Sequence, residues 1–139
     1  MNPLALGVCL TLAASPASAS VFVPVERFTL AWTHSIEKVR WEEDYAIAAE
    51  NGVSATPVLI AEGARVRGSG AGMEPPAGAI LRDGWYEYRP QQRVHAQLIL
   101  ARSEFTADYE FCTPSGCRPM TALLPSDSAA TRLAPCRRG

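Results

Sequence analysis

Little in this chain marks a reaction. Among its 139 residues there are only two histidines, His34 and His95, too few to build a zinc set when the cysteines are expected to be oxidised. No Gly-x-Ser-x-Gly elbow is present. Ser35 follows His34 directly, so on a strand the two side chains face opposite ways and the serine lacks a base. The glycine-rich run from Gly68 to Glu74 has no Gly-Lys-Ser/Thr ending and leads into no helical pattern, unlike a phosphate loop. Carboxylates near Glu37, Glu42 and Asp44 match no EF-hand spacing. The net charge is −1 and the basic residues are scattered, which leaves no footprint for nucleic acid. No metal, no cofactor and no nucleic-acid partner is therefore expected.

Long apolar runs are absent too, since none reaches the roughly 20 residues that a transmembrane helix needs. The longest, Leu4 to Ala14, carries no charged side chain and is followed by the small residues Ala17-Ser18-Ala19. That pattern suits a signal peptidase, and the expectation is a signal peptide at 1–19 cleaved before Ser20, with Cys9 inside its apolar core. An uncleaved anchor is the alternative, and the only expected membrane contact. The expected organisation is then a signal at 1–19, a β domain at 20–124 and a flexible tail at 125–139, in a periplasmic or secreted protein. A mature chain of about 120 residues fits one core.

Apolar residues alternate at Phe28, Leu30 and Trp32, and again at Val39, Trp41, Tyr45 and Ile47, the period of half-buried strands. Asn51-Gly52 and Asp83-Gly84 are hairpin turn signals. Ala64 to Gly78, rich in glycine and holding Pro75-Pro76, reads as a long loop. Val94 to Ala101 reads as a further strand. Phe105 to Cys112 and Cys117 to Leu123 read as a last hairpin. The expected fold is all-β: one antiparallel sandwich or small barrel of about seven or eight short strands.

The ionisable residues that break this pattern are the candidate site. Alternation puts His34 on the apolar face of one strand and Glu43 on that of the next. With the turn within Ile36 to Val39, they stand opposite or diagonal to one another, within side-chain reach. A buried carboxylate needs a partner, and His34 would supply one. The binding candidates around this hairpin are His34, Ser35, Glu37, Lys38, Glu42 and Glu43, although Glu42 and Asp44 alternate outward as a solvated face by default. Gly70, Ala71, Gly72, Met73 and Glu74 are candidates for a loop presenting backbone amides to a ligand, or for a plain turn. No catalytic residue is assigned.

Cys112 and Cys117 flank Thr113-Pro114-Ser115-Gly116 and are expected to form a disulfide across that turn in an oxidising compartment. Cys136 is left without an assigned partner.

The run from Trp32 through Thr33-His34-Ser35-Ile36-Glu37-Lys38 to Trp41-Glu42-Glu43, the Gly68 to Pro76 loop, and Cys112 with Cys117-Arg118 resemble the bacterial domain of unknown function 1850 family. The resemblance covers about Phe28 to Met120. It implies a small exported protein, often encoded beside tripartite transporters of the TAXI subgroup of the TRAP class, and no catalytic residues. The expected role is an exported accessory or binding module of a TRAP-type uptake system, engaging its membrane subunits or a small solute. Two alternatives stand beside it: a small hydrolase or isomerase using Glu43 and His34 as an acid/base pair, and a purely structural domain.

Overall fold

A computed structural model describes residues 5–18, 20–33, 38–49, 56–68 and 76–138. The regular structure of the described residues is almost entirely strand and forms two antiparallel sheets without closing into a barrel. In chain order they are β1 (Ala5–Leu12), β2 (Val21–Pro24), β3 (Arg27–Thr33), β4 (Arg40–Ala48), β5 (Val58–Arg67), β6 (Ile80–Arg82), β7 (Trp85–Tyr88), β8 (Val94–His95), β9 (Leu98–Ala101), β10 (Glu110–Thr113), β11 (Gly116–Pro119), the single helical turn α1 (Met120–Leu123), and β12 (Ala130–Arg138). The small sheet runs β2-β1-β12-β9. The large one runs β11-β10-β3-β4-β5-β7-β6, with β8 also paired to β5. The β-sandwich expected from the alternation is what forms, with more strands than the seven or eight anticipated.

Both ends of the described chain are strands of the small sheet. The segment expected as a signal peptide is a central strand of the small sheet, with β1 between β2 and β12 and with Val8 and Leu10 fully buried. A short apolar run flanked by small residues has the composition of a secretory core and of a buried strand alike. The Ala17-Ser18 step lies in the reversal from β1 to β2, where the Ser18 amide and hydroxyl both donate to the Ser15 carbonyl. The expected flexible tail is likewise replaced by β12, whose register runs from Leu12↔Thr131 to Ala5↔Arg138. Thr131 and Leu133 are fully buried there. Pro135 fits because β9 pairs β12 only as far as Leu133, so the missing amide costs no ladder bond on that side.

These two terminal strands are tied by a disulfide between Cys9 and Cys136, the cysteines that the sequence left in a signal and without a partner. The bridge spans 127 positions of sequence, and closing a loop of that length restricts the unfolded chain by up to about 5 kcal/mol in the loop-entropy account. The expected Cys112–Cys117 disulfide joins directly opposed positions of β10 and β11. Its sequence separation of 5 makes it a local staple of that hairpin.

Smaller differences follow from the same pairing. Part of the expected loop after Ala64 continues β5 to Arg67, with Ala64 and Val66 buried. The anticipated strand from Val94 to Ala101 breaks at Ala96-Gln97, so that β8 joins the large sheet and β9 the small one. Phe105 is 89% exposed in a loop before β10, and the segment after Cys117 ends in α1. Asp83-Gly84 makes the expected tight turn, both residues having positive φ (51° and 84°). The Asn51-Gly52 turn lies outside the described residues.

The core between the sheets includes Val8, Leu10, Phe28, Leu30, Tyr45, Leu59, Phe111, Met120 and Leu133. Phe28 stacks on both Tyr45 and Phe111, at 5.4 and 4.9 Å between ring centroids. No described helix is long and apolar enough to cross a membrane.

Candidate functional site

Strand β4 sorts its side chains by alternation: Trp41, Glu43 and Tyr45 point to the inner face, and Arg40, Glu42 and Asp44 to the outer one. The two faces have different chemistry.

On the outer face the charges neutralise one another. Arg40 donates to Glu42 at 2.7 Å and also to Glu110 on β10, while Arg65 on β5 donates to the other Glu42 oxygen at 2.6 Å. The Arg65 guanidinium also grips Asp44 at 2.8 and 3.3 Å, and the Thr29 hydroxyl donates to Asp44 at 2.6 Å. Burial alone would lower the pKa of each arginine, but the hydrogen bonds and charge of these carboxylates raise it instead. Glu42, a binding candidate from the sequence, is thus committed to two arginines. The solvated face anticipated there is an ordered ladder across four strands.

The inner face carries Glu43. Its cross-strand partner on β3 is Leu30, and its partner on β5 is Ala64, which is in turn paired with Tyr88 on β7. One step toward the β3–β4 turn, Trp32 opposes Trp41 and their rings stack at 6.2 Å. Tyr109 lies against Trp32 at 5.9 Å with its ring tilted by 55°. The Tyr45 hydroxyl donates to Glu43 Oε1 at 2.8 Å. Tyr45 is thus the described partner of this carboxylate, the role that sequence reasoning gave to His34. The described pairing runs from Arg27↔Ala46 to Thr33↔Arg40 and sets Glu43 opposite Leu30, with Phe28 and Trp32 as its diagonal neighbours on β3.

His34, Ser35 and Glu37 lie outside the described residues, as do Gly70, Ala71, Gly72, Met73 and Glu74. Their flanks are informative nonetheless. Thr33, Arg40 and Arg67 end or begin strands at one and the same end of the large sheet. Lys38 is exposed with a φ of 60°. A Cβ on Gly68 would stand 2.9 Å from the Tyr86 ring, which would have to shift to admit it.

Glu43 imprints its charge on the tyrosines. Burial first, and then the Glu43 carboxylate, raise the pKa of Tyr45, Tyr88 and Tyr109 above the ordinary tyrosine value of 10.0. All three stay protonated as hydrogen-bond donors near neutral pH. Alternation marks Glu43 and Tyr45 in the sequence. Tyr88 and Tyr109 were missed because their approach depends on sheet order.

Tyr109 is held in place by a buried clamp that the sequence did not reveal. Arg102, its side chain 1% exposed, binds both oxygens of Asp108 at 3.0 Å and donates to the Thr131 hydroxyl at 3.0 Å. Asp108 also accepts the Tyr109 amide at 2.9 Å and the Thr121 amide at 2.7 Å, and the Tyr109 carbonyl accepts the Met120 amide at 2.8 Å. Residues on both sides of Tyr109 are therefore fixed before its ring meets Trp32.

Among the described residues no group of three His, Cys, Asp or Glu side chains converges as a metal set. The arrangement offers one carboxylate acceptor, tyrosine hydroxyls and broad aromatic faces, which suits recognition of a ligand. Neither a curated protein nor a solved structure matches the chain. The domain of unknown function (DUF1850) matches over residues 28–120, a span that contains Glu43, Tyr45, Tyr88 and Tyr109 together with the Arg102–Asp108 clamp, and the chain belongs to that family.

Proposed function

We propose that this domain is an accessory binding module of an extracytoplasmic solute-uptake system of the TRAP type, working in an oxidising compartment. The observation that carries the binding role is the Glu43 surface. A half-buried carboxylate, bonded to Tyr45 and faced by Trp32, Tyr88 and Tyr109, has the acceptor and the apolar walls that a ligand needs. Two disulfides support the compartment, since thiols in a reducing cytosol stay unpaired. The transporter association rests on the family resemblance.

The test is to tag the chain at its C-terminus in its host, fractionate the cells, and recover it from detergent-solubilised membranes. Recovery outside the cytoplasm together with TRAP-type membrane subunits is the expected result. A cytoplasmic protein that brings down no transporter subunit would refute the role.

A further inference from the structure

The way charge is divided between the two faces of β4 identifies what the Glu43 surface would bind. On the outer face near this site Arg40 is engaged by Glu42 and Glu110 and Arg65 by Glu42 and Asp44, while Arg67 lies over the Trp85 ring. Among the described residues the inner face shows no such compensation. Among the described residues no lysine, arginine or histidine forms an ion pair with Glu43, and its one described hydrogen bond comes from the neutral Tyr45 hydroxyl. A carboxylate keeps further acceptor positions after accepting one hydrogen bond.

The surroundings are aromatic. Trp32 and Trp41 lie on one side of Glu43 along the sheet and Phe28 and Tyr45 on the other. Tyr88 follows beyond Ala64 in its own row. Ala64, buried between Glu43 and Tyr88, is the smallest member of that row. Aromatic faces carry negative charge density and attract cations, most strongly where water is partly excluded. An anion would meet the Glu43 charge and the ring faces, both repulsive.

We infer that the inner-face site formed by Glu43, Trp32, Tyr88 and Tyr109 binds a small organic cation, an alkylammonium group whose charge meets Glu43 while its carbons lie against the rings. This rests on the binding role proposed above and adds the chemical class of the ligand. The Arg102–Asp108 clamp acts here as a positioning device, because it sets the backbone of Tyr109 on both sides.

Fluorescence titration of the full chain tests it, with Trp85 replaced by Phe so that Trp32 and Trp41 report. The probes are tetramethylammonium chloride, butylammonium chloride and, as the anionic control, sodium butyrate. Saturable change with an ammonium probe and none with butyrate is expected. Glu43→Gln should weaken that binding roughly tenfold, and Tyr88→Leu, which keeps the bulk and removes the ring, several-fold. Tyr88→Leu keeps the test decisive should Glu43→Gln fail to fold. Saturation by butyrate alone would overturn the cation assignment and leave a binding role standing. Silence with every probe would overturn both, and ammonium binding unchanged in the two variants would remove these residues from the site.

Discussion

Asp108 makes four described hydrogen bonds, two from the Arg102 guanidinium and two from backbone amides. Burial by itself would raise its pKa, but the bonds from Arg102 and Thr121 and the Arg102 charge prevail and hold it below its ordinary 3.8. A carboxyl whose pKa is lowered by folding contributes stability that is complete above its unfolded value and lost as pH falls through the folded one. Thermal melts of the wild type should thus lose stability below about pH 4. Asp108→Ala leaves Arg102 buried and unpaired, which should cost about 3 kcal/mol at neutral pH and flatten the acid limb. A variant that melts like the wild type at pH 7 would show that the clamp is not formed. Because Tyr109 takes its backbone partners from this clamp, the residue that stabilises the loop also places a ring at the candidate site.

Strand β1 is the element whose assignment matters most. Gly7 lies where β1 and β2 approach so closely that a Cβ would stand 2.2 Å from the Val23 carbonyl oxygen and 2.8 Å from the Phe22 ring. Gly7→Ala should therefore separate these strands and lower the melting temperature by several degrees, as expected for a loss of a few kcal/mol in a domain of this size. An unchanged melt would mean that this segment is not packed in the sheet. Most of the fold could be read from the sequence wherever one face of a strand is buried and the other is wet, as at Phe28, Leu30 and Trp32 or at Trp41, Glu43 and Tyr45. Around Leu6 to Leu12 both neighbours and the facing sheet supply apolar surroundings, alternation fades, and composition alone points to export. β12 was hidden because Pro135 and three arginines interrupt the period that Thr131 and Leu133 begin. The candidate site was legible only along β4. Glu43 stood out as a charge in an apolar row, whereas Tyr88 and Tyr109 come to it from strands distant in sequence, joined through pairings that no local pattern announces.

At the scale of the molecule, the chain closes on itself. Its first and last strands pair over Ala5 to Leu12 and Thr131 to Arg138 and are cross-linked through Cys9 and Cys136. The same small sheet covers the core from which Tyr45 reaches Glu43. Two disulfides and a core that includes Val8 and Leu10 join the question of compartment to that of fold. Non-reducing peptide mapping by mass spectrometry, on the protein recovered from its host's extracytoplasmic fraction, tests this most directly. The account predicts a cross-linked peptide pair carrying Cys9 and Cys136, alongside one closed by Cys112 and Cys117. A chain beginning at Ser20, with Cys136 reduced or joined elsewhere, would contradict it.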